Sequence, residues 1–273
     1  MAELAGVFAA SHAPLIGRDW HLFSPELQAR LAAPYEELGR RIDAVRPDII
    51  VEIAPDHWVN FFLNNLPSVC IGVGARHAGP PEPFLRDFPR ELAGDAEFAA
   101  FFAEAAFAAD FEPALSHQLT LDHGFCIPLD KLKLARLPRI VPLVVNDLEP
   151  PMLSVRRCLA WGRLLAETIR AYPKDVRIAV LASGGLSHSI GEATMGAIDE
   201  PFDRMCIGAF GGADDVRLAT EIAAGLARTG NGAHEVRNWV IAHAAAGGRG
   251  FDLIAYLPVP EVYVGCAFAS WAA

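Results

Sequence analysis

The apolar run in residues 51–60, VEIAPDHWVN, ends abruptly on the ionisable pair Asp56 and His57. Other histidines stand at junctions of the same kind. His12 follows the apolar run 4–10, His57 follows 49–54, and His188 closes SGGLSH after 178–182. His123 lies just before an apolar segment, and His234-Glu235 opens the helical pattern EVRNWVIAHAAA. Two neutral imidazoles and one carboxylate, with coordination positions left open, suit non-haem Fe(II) and its chemistry with O2. The imidazoles hold a borderline divalent ion and the carboxylate offsets part of its charge. His12, His57 and Glu235 fit that inventory. His123 and His188 then remain as spare imidazoles, whose near-neutral pKa suits proton transfer.

Each of these residues also has a plainer reading. A single histidine at a strand end is commonly a surface loop residue or a satisfied polar group. His21, His77, His117 and His243 are assigned to that class, with His117 in SHQLTLDHG also placed to support the site from behind. Asp56 and Asp122 either orient the imidazoles beside them or cap turns. Glu235 competes with a role as a helix first-turn carboxylate favoured by the macrodipole. Ser187 lacks the G-x-S-x-G elbow that would make it a strong nucleophile candidate. No P-loop is present, and GVGARHAG leads into prolines rather than a helix, so nucleotide binding is unsupported.

Distant side chains can meet only if the elements carrying them end on one edge. Strand-length apolar runs occur at 4–10, 49–54, 69–73, 140–145, 178–182 and 262–268. Several are β-branched without strict polar alternation, as expected when both faces of a strand are covered. Helical patterns lie near 24–45, 96–109, 153–171, 214–228 and 234–246. Ser24-Pro25-Glu26 supplies a cap with proline in the first turn. This alternation predicts a single layered α/β domain over residues 1–273, with a largely parallel or mixed central sheet flanked by helices. The Pro-rich piece 78–89 is a loop rather than a boundary. In such sheets the carboxyl ends of the strands border the ligand crevice, which is where His12, His57 and His188 would fall.

Composition limits the partners. Across 273 residues the formal charge is −10, which opposes nucleic acid phosphates and anionic lipid, and no Lys/Arg-rich tract offsets it. The cysteines, Cys70, Cys126, Cys158, Cys206 and Cys266, are scattered without a C-x-x-C pair, which predicts reduced thiols in a cytoplasmic protein. The start lacks a basic n-region, so no signal peptide is expected. The stretch FAAFFAEAAFAADF is too short to span a bilayer.

Six blocks carry a resemblance. SHAPLIG (11–17), APDHWVNFF (54–62), PSVCIGVGA (67–75), LDHGFCIPL (121–129), SGGLSH (183–188) and HEVRNWVIAHAA (234–245) resemble, in order, the class III, LigB-like extradiol ring-cleavage dioxygenases. Within that family they look most like the 2,3-dihydroxyphenylpropionate 1,2-dioxygenase branch. The resemblance implies that His12, His57 and Glu235 bind Fe(II). It makes His188 the base that helps deprotonate the substrate, and His123 the acid or oxygen-pocket residue. It also implies a single α/β domain, a homo-oligomer, and insertion of both atoms of O2 into a vicinal-diol ring. That ring would be catechol-type or a dihydroxypyridine, and the product an open-chain semialdehyde acid. The chain looks shorter than that branch between Ser189 and the HEVRNW block. Arg18, Arg76 and Arg86 are candidate anchors for a substrate carboxylate, and Trp58, Phe61 and Phe62 are candidates for the ring pocket or for core packing. Two other classes stay open: a zinc-containing relative or hydrolase, and a non-catalytic metal-binding module. The second predicts a broken acid/base pair, whereas both His123 and His188 are present.

Overall fold

Residues Ile49–Ala54 form a strand, β2, that is buried at every position. Its side chains alternate between two cores, as the period of a strand requires. Ile49, Val51 and Ile53 join one apolar cluster, while Ile50 and Ala54 join another on the opposite face. A strand covered on both sides cannot show polar alternation, which is why its sequence reads as an unbroken apolar run.

The computed structural model describes residues 1–212 and 214–272. The remaining strands are β1 (Glu3–Ala10), β3 (Val69–Gly72), β4 (Arg76–Ala78), β5 (Glu91–Ala93), β6 (Ala114–Ser116), β7 (Arg139–Val145), β8 (Arg177–Ser183), β9 (Asp252–Val259) and β10 (Val264–Trp271). The main sheet has eight strands in the order β6-β3-β7-β2-β8-β1-β10-β9, and β4 pairs with β5 apart from it. The centre, β7-β2-β8-β1, is parallel. The flanks turn antiparallel, with β10 against β1, β9 against β10 and β3 against β7. The fold is thus α/β around a mixed central sheet.

Helices cover both faces. Buried residues of α3 (Ala96–Ala108), α5 (Val155–Ala171), α6 (Glu200–Gly212), α7 (Asp215–Leu226) and α8 (Val236–Ala245) join the first cluster. Those of α1 (Pro14–Arg18), α2 (Pro25–Val45) and α4 (His123–Lys131) join the second. The predicted cap of α2 is present: Ser24 Oγ accepts from Leu27 N at 3.2 Å, with Pro25 in the first turn. Short helical turns refine the expected boundaries. Residues 231–235 form a 3-10 turn before α8, and residues 260–262 form another before β10.

Register decides what meets at the sheet edge. Ala10 of β1 pairs with Ser183 of β8, and Ile53 of β2 pairs with Ala182 of β8. Three neighbouring parallel strands therefore end level with one another. The segments that leave them carry His12, His57 and His188.

Candidate active site

The strand-end histidines converge on Glu235. His12 Nε2 lies 3.2 Å from Glu235 Oε1, His57 Nε2 lies 3.6 Å from it and His188 Nε2 3.7 Å. His123, the first residue of α4, stacks on His57 with ring centroids 4.0 Å apart and meets His12 edge-on at 5.7 Å. Ligand atoms of His12, His57 and His123 all lie within 4.8 Å of one another, close enough to share a metal ion. His12 and Glu235 are buried, whereas the His57 side chain keeps 20% of its exposure. The cluster is therefore reached from the His57 side.

Every Nδ1 in the cluster is committed elsewhere. His188 Nδ1 is 3.1 Å from Leu186 O, which can only accept, so Nδ1 carries the hydrogen. His57 Nδ1 faces Asp122 Oδ2 at 3.3 Å, and the His57 backbone N donates to the same oxygen at 2.6 Å. His123 Nδ1 faces Glu82 Oε1 at 2.8 Å. Ser183 Oγ gives its single proton to Gly124 O, so it accepts from His12 Nδ1 at 2.9 Å. These partners assign the tautomers, leaving Nε2 as the free nitrogen of all four rings.

Three of those Nε2 atoms face one carboxylate oxygen. A lone pair against a carboxylate is repulsive unless a cation, proton or metal, lies between them. The electrostatics express that demand in protons. Burial pushes His57 down, but Asp122 and Glu235 outweigh it and raise its pKa to about 10. Burial alone would raise the Glu235 carboxyl, yet His12 and His188, with hydrogen bonds from His12 and His57, hold it well below its ordinary range. Burial followed by the charge of His57 lowers His123. The donor set, imidazole nitrogens around one ionised oxygen, fits a divalent transition metal.

Glycines make room for the cluster. Gly184 has φ +118°, and a Cβ there would sit 2.6 Å from Glu235 Oε2. The neighbouring Gly185 N donates to that same oxygen at 2.6 Å, and Trp239 Nε1 donates to Gly184 O at 3.0 Å. The SGG turn is thus the seat of the Glu235 side chain. Glu235 stands at the N-cap of α8 rather than in its first turn, and its carboxylate is taken up by Gly185 N and the histidines.

Several competing readings resolve. Asp122 does not hold the imidazole beside it in sequence, His123, but the distant His57, and its Oδ1 caps α4 by accepting from Gly124 N at 2.8 Å. Asp56 caps a turn instead, accepting from the backbone N of Val59, Asn60 and Phe61. Ser187 Oγ donates to the buried Asp203 at 2.9 Å and accepts from Asp199 N, a structural role. His117 is exposed on the loop after β6. Arg18 pairs with Asp19 and Arg76 with Glu91, and the Arg86 side chain is exposed beside Asp87. Phe61 packs against the second core, while Trp58 and Phe62 are exposed. His77 and His243 prove buried, and neither His77 nitrogen has a partner among the described residues. Burial holds His77 neutral, its pKa lowered to about 4.

Sequence reasoning missed Glu82 and Ser183, the anchors of His123 and His12. Ser183 could have been suspected from its place in SGGLSH. Glu82 carries no signal, because it lies in a Pro-rich loop whose path is fixed by tertiary packing.

The family model for the catalytic LigB subunit of aromatic ring-opening dioxygenase matches residues 6–265. The chain is 30% identical to a 2,3-dihydroxyphenylpropionate/2,3-dihydroxicinnamic acid 1,2-dioxygenase of Paraburkholderia xenovorans (strain LB400), covering 92% of both sequences. A second relative so named, from Dechloromonas aromatica (strain RCB), is 26% identical over 93% of this chain and 94% of its own. Among solved structures, an uncharacterized protein from Escherichia coli K12 shares the fold with TM-score 0.63 at 14% identity, covering 89% of this chain and 92% of that one. The match across nearly the whole chain, with the histidine cluster at its sheet edge, places this protein in the LigB family of aromatic ring-opening dioxygenases.

Proposed function

We propose that the protein is a non-haem Fe(II) extradiol dioxygenase whose metal ligands are His12, His57 and Glu235, with His188 as base and His123 as acid. The observation that carries this reading is the convergence of Nε2 atoms on Glu235 Oε1 while each Nδ1 is anchored outward. Bound there, a ferrous ion supplies a chelation point for both oxygens of a vicinal diol and electron density for O2. The chain's own residues manage the protons. His188 Nε2 is free to accept the hydroxyl proton of the incoming diol, its ring held by Leu186 O. His123 Nε2, unprotonated while Nδ1–H is held by Glu82, takes up the second hydroxyl proton of the diol and returns it to the oxygen that departs as the ring opens. The partial burial of both rings excludes bulk water from these transfers.

The substrate class follows from that arrangement: a small aromatic diol, catechol-type or a dihydroxypyridine, together with O2, giving a ring-opened semialdehyde acid. We place the enzyme in the cytoplasm as one catalytic domain acting in a homo-oligomer. The five cysteines, all unpaired and buried, support a reducing compartment, and the family resemblance supports assembly. No described helix is long and apolar enough to cross a membrane.

One observation favours a second reading. The close spacing of His12, His57 and His123 also suits a three-histidine zinc site and metal-assisted hydrolysis. Aerobic incubation of ferrous-reconstituted protein with a panel of catechols and dihydroxypyridines separates the two. The dioxygenase reading expects a yellow ring-fission chromophore with stoichiometric O2 uptake. Tight Zn(II) binding, with neither chromophore nor O2 uptake in the Fe(II) form, would favour the zinc site instead.

A further inference from the structure

We propose that Glu82, on the Pro-rich loop, is a positioning residue that holds His123 in its Nδ1–H tautomer and so presents Nε2 to the reacting oxygens. This rests on the ring-cleavage reading, in which Nε2 takes a proton from the diol and returns it as the acid while Nδ1–H stays on Glu82. One oxygen, Glu82 Oε1, accepts from both the backbone N of His123 at 3.0 Å and its Nδ1 at 2.8 Å. The carboxylate is ionised: burial works against that, but the hydrogen bonds from His123 hold it below its ordinary range. An ionised carboxylate can only accept, so the proton on that face of the ring belongs to Nδ1. Rotation of the ring would bring a carbon to Glu82 and lose a charge-assisted bond.

The loop is built to hold Glu82 still. Gly79 N donates to Arg90 O at 2.8 Å and Arg90 Nη1 donates to Pro80 O at 2.6 Å, closing the loop at its base. Leu85 and Phe88 are buried in the second core. Pro83 follows Glu82 directly and opens a 3-10 turn, fixing the backbone on its C-terminal side. A loop with two buried apolar anchors and a closed base presents its side chain much as a helix would.

The plain alternative is that Glu82 merely caps the start of α4 through the His123 backbone. Tautomer and turnover separate the roles. In the full-length chain without added metal, where no paramagnetic ion broadens the rings, 15N-labelled histidine spectra at pH 8 report which His123 nitrogen carries hydrogen. Wild type is expected to show Nδ1–H. Glu82→Gln keeps an acceptor and is expected to keep that tautomer, with kcat within about 3-fold of wild type. Glu82→Met removes the acceptor, and we expect Nε2–H to become the main form. Its kcat should fall by about 10- to 100-fold with KM changed less than about 3-fold, in line with the loss of an orienting partner. Nε2–H in wild type, or Nδ1–H retained in Glu82→Met, would overturn the proposal without any turnover measurement. A wild-type enzyme that never opens a ring would instead sink the dioxygenase reading and leave the tautomer result standing.

Discussion

Gly232 shows how little room His188, the proposed base, has. A Cβ at this position would lie 2.1 Å from Cδ2 and Nε2 of His188, so the ring occupies the space that any other residue would fill. Gly232→Ala is therefore expected to push the imidazole away from Glu235 and lower kcat by about 10-fold or more, since misplacing a reacting group by about 1 Å costs this much. Steady-state kinetics alongside circular dichroism would check that the fold is kept while turnover falls. The histidines themselves were legible in the sequence, because each follows a strand-length apolar run or opens a helix. Their partners were not. Asp122 could be read as an orienter of its neighbour His123 or as a cap; it caps α4 but holds His57, while Glu82 reaches His123 from 41 positions away with no spacing that announces it.

At the scale of elements, β2 carries a cost. Glu52 sits in the middle of this central strand, fully buried, with neither carboxyl oxygen partnered among the described residues. Burial, with Asp122 adding to it, raises its pKa well above the ordinary value, so the folded protein holds it neutral. A carboxyl raised in the fold contributes most favourably below its unfolded pKa and progressively less as pH rises. Glu52→Leu should therefore stabilise the protein by about 1–3 kcal/mol at neutral pH. The gain over wild type should shrink between pH 7 and pH 5 in urea denaturation. Asp203, on α6, gives a second pH signature. Burial lifts it to about 6 despite hydrogen bonds from Tyr256, Ser187 N and Ser187 Oγ. Raising pH from 5 to 7 is expected to cost on the order of 1 kcal/mol through this group, and Asp203→Asn should flatten that slope in the same titration. The central strands could be read because burial on two faces leaves an apolar run. The helix α6 and the outer strand β9 escaped, since β9 is only partly buried over most of its length and contains Pro258. The antiparallel flanks were open in the expectation of a largely parallel or mixed sheet, because strand direction depends on connections that no local pattern encodes.

Across the whole molecule, one topological fact does most to create the site: β1, β8 and β2 are parallel neighbours that end level. Residues 12, 57 and 188 meet for that reason, and α8 returns to the same edge to bring Glu235 among them. The net charge of −10 leaves this cluster of imidazoles as a local concentration of cation-seeking nitrogen in an acidic chain. Glu235 is the proposed ligand and His123 the proposed proton donor, although His12, His57 and His123 lie close enough to bind an ion by themselves. The direct test is iron content after anaerobic loading of folded wild type, Glu235→Ala and His123→Ala. Wild type and His123→Ala should each retain about one Fe(II) per chain, the latter without turnover, while Glu235→Ala should retain less than about a tenth. Loss of iron from His123→Ala with full retention in Glu235→Ala would contradict the assignment.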